Sequence, residues 1–356
     1  MQSCDYTFIQ LIRLGIGHTA DDLSGSYDWQ TIQTLATKHG LTAIVIDGIR
    51  NMPEASRPPK RVLLEWLGKV VKTYELRYKL YRNAIEKLAS FYNNNGLKMM
   101  VLKGYACSLD WPKPEHRPCG DIDIWLFGEY KKADSILAKK KGKKIDKSEH
   151  HHTAFKWRSF RVENHFDFVN VHAYRSNAAI EKIFKELGKD DSCFVEVNGE
   201  RVYLPSPNLH ALFLLRHMIS HFAAAEINIR QVLDWAFFVE KHTKEVDWCW
   251  LLELLDKYHM RDFFNCINAI CVENLGFDSA IFPEAQFLPE TKQRVLKDIL
   301  NPAYGNTELK KLIPRLLYKI KRRKENAWKQ KLCYDESLWS GFWSGVWNHL
   351  LKPSSI

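Results

Sequence analysis

Long apolar runs are missing from the 356-residue sequence. A membrane-spanning helix needs about 20 consecutive apolar residues, and charged residues interrupt the apolar stretches of this chain before they reach that length. The first five residues also lack the basic start and apolar core of a secretory signal peptide. We therefore expect a cytoplasmic protein with an ordinary buried core, since 46% of its residues are hydrophobic.

Closely paired cysteines are missing as well. The chain has eight cysteines but no CxxC pair, which argues against a zinc ribbon and against a disulfide framework. We expect all eight to be free thiols. The run His150 to His152 is a candidate metal cluster, but three consecutive residues cannot all face one ion, so a solvated loop is expected there.

Positive charge is concentrated in two segments, although the net charge of the chain is +10. Residues 310–331 contain ten Lys or Arg and one acidic residue, and residues 131–147 contain eight lysines and two aspartates. The rest of the chain is therefore net negative. Each basic segment could bind nucleic acid, bind anionic lipid or remain hydrated.

Apolar periodicity divides the chain into three parts. Residues 1–97 and 205–356 show helical spacing, whereas residues 98–204 contain short apolar and extended stretches. We therefore predict an α+β fold, with a mixed-sheet core between N-terminal helices and a C-terminal helical bundle. Residues 58–95 form a long amphipathic segment, with the predicted core positions Val62, Trp66, Val70, Leu76, Leu80, Ile85 and Leu88.

Two features of the C-terminal part allow specific predictions. Asp234 follows Arg230 by four residues, so the two should pair on one helix. His217 and His221 share one helical face and could bind a metal ion, but we expect them to line a domain interface. The tail carries an apolar stripe at helical spacing, which either closes the bundle or, together with the basic segment before it, contacts a membrane surface. The stripe consists of Trp339, Phe342, Trp343, Val346, Trp347 and Leu350.

The motif with the clearest chemistry is residues 117–126, a loop that leads into an apolar strand. Asp121 and Asp123 are two residues apart, which places both carboxylates on one face of a strand. The intervening apolar residues then face the core. Two neighbouring carboxylates repel each other unless a cation lies between them, and Mg²⁺ prefers such oxygen ligands. The motif therefore indicates metal-assisted phosphate chemistry.

Two other segments belong with this strand. An apolar strand, residues 98–102, ends in Lys103-Gly104, a tight turn. A further extended stretch, residues 161–169, places Glu163, His165 and Asp167 on one face, so either acid could be a third carboxylate ligand. For His165 we expect a hydrogen bond to neighbouring backbone rather than a metal bond.

These motifs resemble a bacterial group called the uncharacterised nucleotidyltransferases, within the superfamily that includes DNA polymerase beta. The resemblance rests on residues 101–104, Arg117, residues 120–124 and residues 162–165, and it extends to the helical half at residues 204–207, His217, His221 and residues 233–234. It implies a nucleotidyltransferase-like core in residues 98–204.

The resemblance also implies an activity, which is the two-metal transfer of a nucleoside monophosphate from a nucleoside triphosphate, such as ATP, to an acceptor hydroxyl. Asp121 and Asp123 would hold Mg²⁺ or Mn²⁺. Glu163, or Asp167 in its place, would be the third ligand and assist in removing the proton.

The resemblance also implies that the turn after the first strand binds the phosphates. Gly104 would let the triphosphate approach the backbone. Tyr105 stands where the superfamily has Gly or Ser, so Lys103 or Arg117 would supply the phosphate contact instead.

The motifs do not name the acceptor. RNA or tRNA, a small molecule, a glycan or lipid-linked intermediate and a protein hydroxyl are all compatible with the sequence. Contact of the tail with the inner face of a membrane is a further expectation. The alternative function is that of a non-catalytic interaction protein, regulatory or antitoxin-like, which keeps the fold without turnover.

Overall fold

A computed structural model describes residues 3–21, 23–283, 288–305 and 312–336. The Trp-rich stripe and the start of the basic segment at residue 310 lie outside the described residues. Within the described ranges, no helix is both long and apolar enough to cross a membrane. The eight cysteines are free thiols, as predicted.

The chain begins with helices, as predicted. Asp28 accepts hydrogen bonds from the backbone N–H groups of Gln30 and Thr31 and so caps the second helix. The N-terminal helices are α1 (Ser3–Gly15), α2 (Trp29–Lys38), α3 (Thr42–Asn51), α4 (Lys60–Val70) and α5 (Leu76–Asn93).

One π-helical turn, Val71–Glu75, joins α4 to α5 and changes which residues face the core. Leu76 and Leu80 were predicted to be core positions, but they are 49% and 59% exposed. The prediction was wrong because a π turn adds a residue to the helix and rotates the following apolar stripe. Tyr78 and Tyr81 are buried instead.

Within the described residues, six strands form one mixed sheet in the order β3-β4-β2-β1-β6-β5. The neighbours β2 and β4 run parallel, as do β1 and β6, and the other pairs, including the central pair β2 and β1, are antiparallel. The strands are β1 (Met100–Val101), β2 (Ile122–Trp125), β3 (His152–Trp157), β4 (Phe160–His165), β5 (Phe194–Val197) and β6 (Glu200–Tyr203). Strands β5 and β6 were not predicted from the sequence.

Helices alternate with these strands and then follow them. The helices between strands are α6 (Lys103–Ser108), α7 (Tyr130–Lys141) and α8 (Arg175–Leu187), of which α8 was not predicted. The helices after the sheet are α9 (Pro207–Ala224), α10 (Ile229–His242), α11 (Trp248–Lys257), α12 (Arg261–Ala269), α13 (Pro289–Leu300), α14 (Leu312–Glu325) and α15 (Ala327–Cys333).

The sheet has an apolar core on each face. On one face, Ile122 and Ile124 pack with side chains from α5 and α7. On the other face, Trp125 joins a larger core built from the C-terminal helices and from α1 to α4. The alternation predicted for β2 is therefore confirmed, and it directs Asp123 towards the face covered by α9.

The rotation at the π turn can be tested with two matched substitutions in α5. Leu88 is fully buried, so Leu88→Ala should lower the free energy of unfolding by about 2–5 kcal/mol. Leu80→Ala should change it by less than about 0.5 kcal/mol, because Leu80 is exposed. Urea unfolding measures both values, and equal losses would contradict the rotated stripe.

Candidate functional site

Parallel pairing of β2 with β4 brings two acidic side chains together. Asp123 is directly paired with Glu163, and Trp125 with His165. Asp123, Glu163 and His165 offer ligand atoms that all lie within 4.8 Å of one another. The predicted third carboxylate, Glu163, is therefore beside Asp123 on the same face of the sheet.

Asp123 is buried and has two nitrogen partners. Its Oδ1 lies 3.0 Å from the Lys103 Nζ and 3.2 Å from the His165 Nε2. Burial raises the pKa of the Asp123 carboxyl, but Lys103 and His165 together outweigh burial and hold the pKa below its usual value. Asp123 is therefore ionised at neutral pH.

Glu163 has a different environment from Asp123. Burial and the neighbouring charge of Asp123 raise the pKa of the Glu163 carboxyl. Its Oε1 lies 3.2 Å from the Arg161 Nε and 3.6 Å from the His152 Nε2. Glu163 is thus the more basic of the two paired carboxylates.

The turn after β1 requires glycine. Gly104 has a φ of +36°, and an added Cβ would lie 2.6 Å from the Tyr81 hydroxyl oxygen. The same hydroxyl donates a hydrogen bond of 2.9 Å to the carbonyl of Asp121. Tyr81 therefore holds the glycine turn and the start of β2 next to each other.

Tyr105, the residue after this turn, does not face the site. It is 3% exposed and stacks on Tyr78 of α5. Its ring is therefore part of the apolar core on the α5 face.

Arg117 lies in a buried ion pair. Its Nε and Nη2 donate to the two carboxylate oxygens of Asp234, at 2.7 and 2.9 Å. The Trp111 indole donates a further hydrogen bond of 2.9 Å to Asp234 Oδ1. The predicted pairing of Asp234 with Arg230 is therefore wrong, because Asp234 faces the loop before β2 rather than the preceding turn of α10.

Arg230 lines a cavity of about 220 Å³ that also borders Lys103, Gly104, Asp121 and Asp123. Within the part of the chain that the structure describes, its Nε is buried and has no hydrogen-bond partner. Arg230 was not predicted to be a site residue, because Asp234, four residues later on the same helix, was expected to pair with it.

A larger cavity of about 650 Å³ lies between the sheet and α9. Asp121, which is itself exposed, borders this cavity as well as the smaller one, and so do Lys103 and Glu163. His217 and His221 line the cavity from α9, which agrees with their predicted position between the two parts of the chain. Asp167 is placed differently, because its carboxylate pairs with Lys185 of α8 at 3.0 Å.

His151 and His152 are not in a solvated loop, contrary to prediction. His152 is the first residue of β3 and is 5% exposed, and the His151 carbonyl accepts hydrogen bonds from the N–H groups of Phe166 and Asp167. This closure turns both rings inward. Burial lowers the pKa of His151 to about 2 and that of His152 to about 3, so both imidazoles are neutral.

His165 lies between the histidines and the carboxylates. Its Nδ1 is 3.2 Å from the Asp167 carbonyl oxygen, which confirms the expected backbone contact. Its ring also belongs to a second group of ligand atoms within 4.8 Å of one another, together with His151 and His152. The run of three histidines was the sequence signal for this group.

A mixed sheet with carboxylates on adjacent strands, and with a lysine-glycine turn beside them, agrees with the nucleotidyltransferase-like core expected from the sequence. A family model described as "Uncharacterised nucleotidyltransferase" matches residues 25–276. The chain belongs to this family, which confirms the resemblance and supports a transferase.

Comparison with solved structures gives a weaker likeness. The chain is similar to an antigenic nucleotidyltransferase-like protein from Paracoccidioides brasiliensis, with 16% identity and a TM-score of 0.33. The similarity covers 45% of this chain and 75% of that one. A TM-score this low does not support any conclusion about fold or function. Comparison with curated proteins found no match.

The buried ion pair can be tested by removing one charge. Asp234→Asn should lower the free energy of unfolding by about 3–5 kcal/mol, because Arg117 would remain buried without its counter-charge. The matched control is Asp256→Asn, which breaks the pair of Asp256 with Arg261, where Asp256 is 62% exposed, and should cost at most about 1 kcal/mol. Similar losses in urea unfolding would contradict a buried pair.

Proposed function

We propose that this protein transfers a nucleoside monophosphate from a nucleoside triphosphate to an acceptor hydroxyl, with Mg²⁺ or Mn²⁺ as the cofactor. The observation that carries the proposal is the pairing of Asp123 with Glu163 beside Lys103 and Gly104. Family membership supports the reaction class.

The donor atoms fit a divalent ion. Asp123 and Glu163 are adjacent acids within reach of one ion, Asp121 borders both cavities, and Lys103 partly offsets their charge. Carboxylate oxygens suit Mg²⁺ and Mn²⁺. Bound ions would neutralise the triphosphate and lower the pKa of the acceptor hydroxyl.

The side chains of the chain itself would take three roles. Asp123 would be the principal metal ligand. Asp121 borders the same cavity but belongs to neither ligand group of the described residues, and it would be the second ligand. Glu163 would be the third ligand in preference to Asp167, and its raised pKa suits it to accept the proton of the acceptor hydroxyl. Of the cations, Lys103 and Arg230 border the cavity next to Gly104, so we assign them to the phosphates.

Arg117 borders the same cavity, but we do not assign it to the phosphates. Because Asp234 accepts hydrogen bonds from two of its guanidinium nitrogens, we assign Arg117 to holding the loop before β2 in place. Arg230 takes over the phosphate contact that was expected from Arg117.

The acceptor is not specified by this proposal. The candidates are RNA or tRNA, a small molecule, a glycan or lipid-linked intermediate and a protein. The lysines at the two ends of α7 are exposed, so a nucleic acid could bind there. Peripheral membrane contact of the tail remains a proposal from the sequence.

The reaction can be tested with triphosphates labelled at the α-phosphate. Wild-type protein with Mg²⁺ or Mn²⁺ should transfer label to a component of cell extract, and separate nuclease and protease treatments should identify the acceptor class. Asp123→Asn and Glu163→Gln should reduce transfer by about 100-fold or more, since even second-shell residues of metal sites contribute roughly 10- to 100-fold.

Asp167→Asn is the matched control and should retain transfer, because Asp167 pairs with Lys185 outside the ligand groups found in the described residues. Full transfer by Asp123→Asn would overturn the proposed mechanism. Calorimetry that shows no binding of nucleotide or of Mg²⁺ would favour the non-catalytic alternative instead, whereas metal-dependent binding of triphosphate would count against it.

Arg230 can be tested by the affinity for triphosphate. Arg230→Gln should raise the Kd roughly 10- to 100-fold, the effect of losing a hydrogen bond from a charged donor of about 1.5–3 kcal/mol. Arg261→Gln, which removes a surface partner of Asp256, should leave the Kd unchanged. Calorimetry with Mg²⁺ present gives both values, and equal Kd values would remove Arg230 from the phosphate site.

A further inference from the structure

We infer that His151, His152 and His165 form a binding site for a first-row transition-metal ion of the Zn²⁺ type, next to the carboxylates. Their ligand nitrogens lie within 4.8 Å of one another. Nitrogens bound to one Zn²⁺ at about 2.0–2.1 Å lie roughly 3.4 Å apart, so these nitrogens would have to approach one another by at most about 1.4 Å to bind one ion.

Ring nitrogens without hydrogen-bond partners are a second, independent indication that these histidines bind a metal ion. Among the described residues, both ring nitrogens of His152 and the Nδ1 of His151 are buried and have no hydrogen-bond partner. The Glu163 carboxylate is 3.6 Å from the His152 Nε2, beyond hydrogen-bonding distance. A buried polar atom without a partner costs about 1–3 kcal/mol, and a metal ion would satisfy it.

The fold also provides oxygen atoms next to the ring of His165, as is usual around a metal-bound histidine. Both nitrogens of His165 face oxygens at 3.2 Å, the Nε2 towards Asp123 and the Nδ1 towards the Asp167 carbonyl. One nitrogen can bind the ion, and the oxygen beside the other then orients the ring, as is usual for metal-bound histidines.

The ligand type separates this site from the Mg²⁺ site proposed above. Imidazole nitrogens favour Zn²⁺, Co²⁺ or Ni²⁺, whereas Mg²⁺ requires oxygen ligands. Three nitrogen ligands leave an open coordination position, and all three rings border the cavity of about 650 Å³. An oxygen of a molecule in that cavity could therefore complete the coordination.

The experiment uses full-length, tag-free protein stripped of metal with a chelator. Co²⁺ titration followed by visible absorption should show saturable binding of one ion, which Zn²⁺ displaces and excess Mg²⁺ does not. His152→Ala should weaken Co²⁺ binding by about 10-fold or more, since even second-shell changes have effects of that size. His151→Gln, which nearly keeps the volume of the side chain, should also weaken it.

His150→Ala is the matched control, because His150 belongs to the same run but not to the ligand group of the described residues. It should bind Co²⁺ as the wild type does, and circular dichroism should show that all variants are folded. Absence of saturable binding, equal binding by the His150 and His152 variants, or displacement by Mg²⁺ would overturn the inference.

Asp121→Asn separates this inference from the proposed reaction. It should abolish nucleotidyl transfer but leave Co²⁺ binding intact, since Asp121 belongs to neither ligand group among the described residues. Loss of transfer and failure of Co²⁺ binding are thus independent results.

Discussion

The register of the parallel pair β2 and β4 is the constraint on which the site depends. It places Asp123 directly beside Glu163, although like charges on neighbouring strands repel each other. Burial of Ile122 and Ile124 in one core prevents the strand from slipping, because a shift by one residue would turn every side chain to the opposite face. The packing of the apolar face thus fixes the acidic face.

The charges around this pair are divided between structure and chemistry. The buried contact of Arg117 with Asp234 joins α10 to the loop before β2, whereas Lys103 partly neutralises Asp123. Arg230 and the inward-facing histidines are left with unpartnered nitrogens within the described residues. Unpartnered buried polar atoms are costly, and their concentration beside two cavities is typical of a binding site.

Much of this arrangement was predictable from local patterns. The alternation of apolar and acidic residues in β2 predicted that Asp123 would face away from the core that holds Ile122 and Ile124, and the end of β1 predicted the tight turn at Gly104. Predictions failed where a helix departed from regular spacing or where a neighbour elsewhere in the chain mattered. The π turn rotated the stripe that contains Leu80, and Asp234 met Arg117, which is 117 residues away, instead of Arg230.

The sequence by itself determined the fold class, the family and the acidic strand, because these depend on residue type and on short spacings. Only the tertiary structure decided which of the candidate ligands meet. His151 and His152 face His165 because the backbone at the start of β3 closes on the end of β4, and Asp167 is drawn to Lys185 of α8. Such contacts depend on how the strands and helices pack, which local periodicity does not encode.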